Sequence, residues 1–136
     1  MANYYSFTKS NYFRCNNEEG LRDLITDCFC GEDTLSLFEK DSEDEKFFAF
    51  GTYDSIGGIK DENGDYNYDL FLARLQELLP DGEAVIITEV GHMKLADVYG
   101  RVDVITNKEI RFESLCNIGA KMARSLLNNP NWIGID

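Results

Sequence analysis

The apolar run Ala84-Val85-Ile86-Ile87 decides the fold of this chain. Four consecutive apolar residues bounded by a turn are typical of a central strand, because both faces of such a strand are buried. Pro80-Asp81-Gly82 supplies the turn before it, and the preceding segment, Asn67–Leu79, repeats apolar residues at helical spacing. After the run, apolar and polar residues alternate over Val98–Val104, which predicts a half-exposed strand.

The C-terminal part adds one more strand and one more helix. Asn107-Lys108 predicts a two-residue turn into a strand over Glu109–Glu113, and Ser114 is a candidate cap for the last helix. That helix carries an apolar stripe, formed by Leu115, Ile118, Met122, Ala123 and Leu126. We expect the C-terminal half to supply much of the core, with residues 128–136 forming a tail.

The N-terminal part predicts a strand, a helix and a hairpin. Tyr4–Cys15 is aromatic and β-prone, which indicates a first strand. Asn16-Asn17-Glu18-Glu19 resembles a capping box in which Asn16 caps a helix, and Gly31 ends that helix. Thr34–Lys40 and Lys46–Tyr53 then predict two strands of a hairpin, the second of them interior in the sheet.

These elements follow one another in the order β-α-β-β-α-β-β-β-α. Interleaving of this kind favours an α+β fold in which helices lie on one face of a mostly antiparallel sheet. A length of 136 residues fits one domain, so we expect residues 1–136 to form a single unit.

The net charge of −12 is concentrated in one segment. Residues 18–69 carry 16 acidic and four basic side chains, so this segment alone has a charge of −12. A field of that sign repels nucleic acid and anionic membranes, so we expect neither as a direct partner. A basic protein surface is the natural partner. The alternative interpretation is that the acid only keeps the chain soluble.

Residues with catalytic potential are few in this sequence. His92 is the only histidine, and no spacing marks an activating partner for it. Cys28-Phe29-Cys30 lacks the second pair or the matching histidine that a zinc site needs, and no phosphate-binding glycine motif occurs. We therefore expect no enzyme and no cofactor. The first residues, Met1–Phe7, lack the pattern of a signal peptide, which predicts a cytoplasmic protein.

The segment from Asp61 to Asp69 places oxygen-bearing side chains at alternate positions, as calcium loops do. Tyr66 stands where such a loop needs glycine, and Leu72 stands where it needs a bidentate glutamate. We interpret the segment as a solvated loop. An alternative function remains, in which the 61–69 loop or the His92 turn binds a small molecule or a metal.

Several stretches that together span most of the chain have packing and turn residues in a pattern that is similar to known proteins. They are Asn11-Tyr12-Phe13-Arg14 before the acidic helix start, Phe50-Gly51-Thr52-Tyr53-Asp54-Ser55-Ile56, Leu78-Leu79-Pro80 with Glu83-Ala84, and Glu89-Val90-Gly91-His92-Met93-Lys94-Leu95 running into Tyr99-Gly100. In these stretches the chain resembles small acidic proteins encoded by phages and conjugative elements. The resemblance implies an accessory role. Unrelated acidic proteins from that setting block CRISPR or restriction nucleases by occupying basic nucleic-acid channels.

Charge and resemblance together predict a non-enzymatic inhibitor that binds the basic surface of a nucleic-acid-processing host-defence complex in the host cytoplasm. The candidate contacts are acids and tyrosines in the hairpin and the following loop, since rings and carboxylates suit protein interfaces. They are Glu39, Asp41, Glu43, Asp44, Glu45, Tyr53, Asp61, Glu62, Asp65 and Tyr66.

Overall fold

The computed structural model describes residues 5–93 and 98–134. Within that part of the chain, eight strands and three helices form. They are β1 Tyr5–Ser10, α1 Glu18–Asp27, β2 Ser36–Ser42, β3 Glu45–Thr52, β4 Ile59–Lys60, β5 Tyr66–Asn67, α2 Tyr68–Glu77, β6 Ala84–His92, β7 Val98–Thr106, β8 Ile110–Ser114 and α3 Leu115–Leu127. The short pair β4–β5, which the sequence did not predict, is the one addition to the expected order.

Six of these strands form an antiparallel sheet in the order β2-β3-β1-β6-β7-β8. β6 lies inside it, with Ile87 paired to Ser10 on one side and to Asp103 on the other. The α+β class, the antiparallel sheet and the interior position of the Ala84–Ile87 run are therefore confirmed. β3 is also an interior strand, as predicted, since it lies between β2 and β1.

The core fills the space between one face of the sheet and the helices α1 and α2. Phe50 on β3 packs edge-on against Phe13 and against Phe71 of α2, with ring centroids 6.0 and 5.9 Å apart. Leu21 of α1 and Val85 of β6 are completely buried in the same cluster. Aromatic pairs of this geometry add stability beyond the area they bury.

The helix α3 begins at the opposite face of the sheet. Gly100 of β7 is paired with Val90, whose side chain is exposed on that face, and a Cβ added at Gly100 would collide with Leu115. No residue of α3 is buried. The expectation that the C-terminal half supplies much of the core is therefore wrong for this helix, because the larger members of its apolar stripe after Leu115, namely Ile118, Met122 and Leu126, are exposed.

The boundaries of α1 differ from the prediction at both ends. Asn17, not Asn16, caps the helix, because its side-chain oxygen accepts the Gly20 N–H at 3.0 Å. The helix ends at Asp27 rather than at Gly31. Phe29 is extended instead, since its N–H donates to the Gly58 carbonyl at 2.8 Å. A contact with a distant part of the chain thus ends the helix earlier than the local sequence indicates.

The first strand is also shorter than predicted. β1 ends at Ser10, Phe13 pairs with Phe48 as an isolated bridge, and Tyr4 lies outside the described residues. The β2–β3 hairpin is tighter than predicted. Ser42 pairs with Glu45, so only two residues turn the chain, and the first of them, Glu43, has a φ of 53°.

Candidate functional site

The start of α1 is joined to the β2–β3 hairpin by an ion-pair cluster made of Glu18, Arg22, Glu39 and Lys46. Arg22 donates to Glu18 at 3.1 Å and also pairs with Glu39, while Lys46 lies 3.4 Å from Glu18 and 3.9 Å from Glu39. The hydrogen bond from Arg22 lowers the pKa of the Glu18 carboxyl, and Lys46 adds to the effect. The first helix and the hairpin, acidic segments that the sequence leaves unconnected, are neighbours in the fold.

Internal pairing divides the predicted hairpin acids into two groups. Glu39 belongs to the ion-pair cluster, and Glu45 lies 3.7 Å from the Arg14 guanidinium, which also pairs with Glu83 at 3.1 Å. The remaining three, which we call the turn acids, are exposed and make no ion pair within residues 5–93 and 98–134. They are Asp41, Glu43 and Asp44.

A second set of exposed carboxylates lies along α1. Glu19, Asp23 and Asp27 recur every four residues, so they project from the helix about 6 Å apart along its axis. No ion pair of the described chain involves them, and we call them the helix acids. None of the three is among the binding residues predicted from the sequence. The i, i+4 spacing starting from Glu19 is the signal that could have identified the set.

The loop after β4 lies at the other end of α1. Tyr66 stacks on Phe29, just beyond the helix, with ring centroids 4.5 Å apart. The ammonium group of Lys60 lies over the Tyr66 ring. A ten-residue helix spans about 15 Å. The loop therefore lies beside the C-terminal end of α1, whereas Glu18 of the ion-pair cluster lies at its first residue.

The loop itself is held by its own hydrogen bonds. One carboxylate oxygen of Asp61 accepts the backbone N–H groups of Asn63 at 2.9 Å and of Asp65 at 3.1 Å. Glu62 and Asp65 are exposed. Among the described residues, no group of three acidic, cysteine or histidine side chains is arranged to hold a metal ion.

Tyr53 lies apart from both acidic sets. It is 81% exposed and contacts Phe7 edge-on at 5.6 Å, while its N–H donates to Asp33 at 2.7 Å. That hydrogen bond is the main reason why the pKa of Asp33 is lowered. Tyr53, Asp33 and Asp54 line one side of a cleft of about 640 Å³ near β1. The predicted grouping of Tyr53 with the hairpin acids is therefore not found.

His92 lies at the end of β6 beside an apolar cavity of about 380 Å³. Its ring is 5.7 Å from that of Tyr5. The cavity opens on the sheet face that α1 and α2 leave uncovered. Its lining, which we call the open-face patch, consists of Tyr5, Phe7, Val90, Gly91, His92, Val98, Tyr99 and Leu115. No local sequence pattern predicts this patch, because its members come from β1, β6, β7 and α3.

On the helix-covered face, a buried charge holds β7 to α2. Asp103 is 3% exposed, and its carboxylate accepts hydrogen bonds from two nitrogens of Arg101 at 2.9 to 3.2 Å. It also accepts a hydrogen bond from the Tyr68 hydroxyl at 3.1 Å. The Arg101 guanidinium also lies 4.2 Å from the centre of the Phe112 ring. Burial, with the adjacent Asp103 carboxylate, raises the pKa of Tyr68. This network is satisfied internally, which is typical of a structural role.

Comparisons of this chain with protein families, with curated proteins and with solved structures found no match. No helix of the described chain is long and apolar enough to cross a membrane.

Proposed function

We propose that this protein is a non-enzymatic inhibitor that binds the basic surface of a nucleic-acid-processing host-defence complex. The observation that carries the proposal is the exposed carboxylate surface around the ion-pair cluster. The turn acids follow Glu39 along the β2–β3 hairpin and the helix acids follow Glu18 along α1, and none of the six has an ion-pair partner within the described chain.

Unpaired, exposed carboxylates are the groups that a basic partner can neutralise without first breaking an internal contact. A paired acid such as Glu39 attracts a basic partner less strongly, because Arg22 and Lys46 already compensate its charge. The surface therefore consists of six negative side chains around a cluster that is neutral as a whole. Such a surface steers a basic partner toward itself and occupies the positions where that partner would hold phosphates.

The mechanism follows from competition for one positively charged channel. A CRISPR effector complex or a restriction enzyme holds the nucleic-acid backbone with lysine and arginine side chains. Carboxylates fixed on a folded domain can occupy those side chains without being cleaved. Inhibition by this route should compete with DNA and should weaken as salt screens the charges.

The experiment is a DNA-cleavage titration with a panel of purified CRISPR effector complexes and restriction enzymes. The variant Asp41→Asn, Glu43→Gln, Asp44→Asn removes three charges beside the ion-pair cluster. We expect it to weaken inhibition about tenfold and to flatten the salt dependence.

A matched control removes the same number of charges at the other end of α1. The variant Glu62→Gln, Asp65→Asn, Asp69→Asn should weaken inhibition less than the turn-acid variant, because these acids lie in the loop after β4 and at the start of α2 and are not among the six surface acids. If the two variants weaken inhibition equally, inhibition depends on the net charge of the protein and not on the turn acids in particular. If the protein inhibits none of the nucleases in the panel, the proposal is overturned.

A small-molecule-binding module at the His92 turn is the second candidate function. It is favoured by the cavity of about 380 Å³ beside this residue, which is of the size and apolar character of ligand pockets. The metal-binding form at the 61–69 loop has no comparable support, because Asp61 uses its carboxylate to hold the loop. A rise in melting temperature with an apolar dye, abolished in Val90→Glu, would support the small-molecule form.

A further inference from the structure

The cleft beside the first residues of β1 has both aromatic and acidic walls. Its volume of about 640 Å³ is within the usual range of ligand pockets. Three parts of the chain form it, namely β1, the loop before β2 and the residues that follow β3. We call it the acidic cleft, and its lining includes three rings and three carboxylates, from Tyr5, Phe7, Tyr53, Glu32, Asp33 and Asp54.

The three carboxylates have no positive counterpart in the acidic cleft. No basic side chain is among the lining residues, and no ion pair within residues 5–93 and 98–134 involves Glu32, Asp33 or Asp54. Lys9 lines the adjoining cavity together with Asp33, but no described ion pair joins these two side chains. The cleft therefore presents three negative charges that a bound cation would neutralise.

Hydrogen bonds hold two of these carboxylates in place. Asp33 accepts the Tyr53 N–H at 2.7 Å and the Thr52 hydroxyl at 3.0 Å. Asp54 accepts the Glu32 N–H at 3.1 Å. The lowered pKa of Asp33, which is due mainly to the Tyr53 N–H, keeps this carboxyl ionised at neutral pH. A carboxylate has about four acceptor positions, so both groups can still accept hydrogen bonds from a ligand.

The rings restrict the kind of cation that fits. Tyr5, Phe7 and Tyr53 are all exposed, and the last two meet edge-on at 5.6 Å. The face of an aromatic ring attracts a cation. A guanidinium is planar, stacks on such a face and is more weakly hydrated than an ammonium, and its N–H groups also match the geometry of carboxylates. Rings beside ionised carboxylates therefore favour a guanidinium over an ammonium.

We propose that the acidic cleft binds a guanidinium group on an alkyl stem, with its N–H groups donating to the carboxylates and its plane against the ring of Tyr53. An arginine side chain of a polypeptide and a free guanidino compound share this chemistry. The cleft acids Glu32, Asp33 and Asp54 belong neither to the turn acids nor to the helix acids. The inference therefore does not depend on the proposed inhibitory function.

The test is a titration of the ¹⁵N-labelled full chain with Nα-acetyl-arginine amide, followed through the backbone amide NMR signals. We expect the signals of Asp33, Tyr53 and Asp54 to shift, with a dissociation constant of about 1 mM or below. Nα-acetyl-citrulline amide has nearly the same shape without the charge and should bind at least about tenfold more weakly. Nα-acetyl-lysine amide should bind at least about threefold more weakly.

Butylguanidine distinguishes the two sources of the group, because it has the same charge but no peptide groups. Tighter binding of Nα-acetyl-arginine amide would assign the cleft to an arginine of a polypeptide. Equal or tighter binding of butylguanidine would assign it to a free guanidino compound.

Two variants test the two kinds of wall. Glu32→Gln removes a charge and Tyr53→Leu removes a ring, and each should weaken binding of Nα-acetyl-arginine amide about three- to tenfold. Both side chains are exposed, so the variants should keep the wild-type circular dichroism spectrum. Glu19→Gln and Tyr12→Leu are the matched controls, because they are the same substitutions at exposed positions outside the cleft. They should leave the dissociation constant within about twofold of the wild type.

Four results overturn the inference. They are equal binding of the arginine and citrulline amides, equal or tighter binding of the lysine amide, equal effects of the cleft variants and their controls, and unshifted cleft signals at roughly 10 mM probe. Shifts confined to the turn acids also count against it, because the cation would then bind the proposed inhibitory surface instead. Nuclease inhibition is tested with acids outside the cleft, so either proposal can fail alone.

Discussion

Arg22 on α1 pairs with Glu39 on β2, the edge strand of the sheet, and joins the first helix to the hairpin. The two residues are 17 positions apart in the sequence, and the pair also holds Glu18 and Lys46 in the same cluster. Glu18 and Glu39 are therefore paired within the protein, whereas the turn acids have no ion-pair partner among the described residues.

The first prediction concerns Glu39 itself. Glu39→Gln should lower the free energy of unfolding by less than about 1 kcal/mol, because its side chain is 39% exposed and exposed ion pairs contribute little. It should also leave nuclease inhibition within about twofold of the wild type, whereas Glu43→Gln should weaken inhibition more. Urea denaturation and the cleavage titration measure the two effects. A stronger effect of Glu39→Gln on inhibition would contradict the division into paired and free acids.

The second prediction concerns the buried charge at Asp103. Asp103→Ala should lower the free energy of unfolding by about 3 to 5 kcal/mol, since Arg101 and the Tyr68 hydroxyl would lose their buried acceptor. Glu109→Ala is the control, because it breaks an exposed pair with Arg111 and should cost less than about 1 kcal/mol. Urea denaturation of both variants checks the difference, and similar losses would show that Asp103 is not structurally important.

The third prediction concerns pH and Glu83. Burial alone would raise the pKa of its carboxyl, but hydrogen bonds from the N–H groups of Arg14 and Ala84 and from the Arg14 guanidinium lower it below the ordinary value of 4.5. A lowered pKa in the folded state stabilises the protein above pH 4.5, and the contribution is lost as the pH falls through the folded-state value.

Glu83→Gln should therefore lower the free energy of unfolding at neutral pH by roughly 1 to 2 kcal/mol and reduce the loss of stability in acid. Urea denaturation at a series of pH values between neutrality and acid gives both quantities. Glu62→Gln, which removes an exposed carboxylate outside the described ion pairs, should not change the neutral-pH value. An unchanged acid response in Glu83→Gln would contradict the prediction.

The fourth prediction concerns the close approach of two backbone segments at Gly58. Its φ is +109°, and a Cβ there would collide with the Asn67 carbonyl. Gly58→Ala should therefore lower the free energy of unfolding by about 3 kcal/mol or more, since strain and collision add. Gly82→Ala has a φ of +80° but open space around it, and it should cost only about 1 kcal/mol. Thermal unfolding distinguishes the two.

Some features with a local cause were predicted correctly, although Asn17 and not the predicted Asn16 caps α1. Ser114 caps α3 through the Asn117 N–H at 3.2 Å, because a cap is satisfied by a residue three positions away. The central strand at Ala84 follows in the same way from consecutive apolar residues. The end of α1 was not predictable, because pairing of Phe29 with Gly58 depends on a segment about 30 residues away.

The candidate site was predicted in composition but not in arrangement. The concentration of acid in residues 18–69 can be read directly, and the turn acids Asp41, Glu43 and Asp44 are indeed exposed. Net charge, however, does not show which carboxylate has a lysine or arginine beside it. Glu45 pairs with Arg14, which lies 31 positions earlier, and no local pattern indicates that contact.

The sequence by itself determined the α+β class, the kinds and order of the main elements and the position of the negative charge. Periodicity and composition act over neighbouring residues, and they carry that information directly. Only the tertiary structure decided which acids lack an ion-pair partner among the described residues, that the loop after β4 packs beside the C-terminal end of α1, and that most of the α3 apolar stripe is exposed. Those properties depend on which distant segments meet. An amphipathic pattern requires that a helix be covered, but it does not specify which surface covers it.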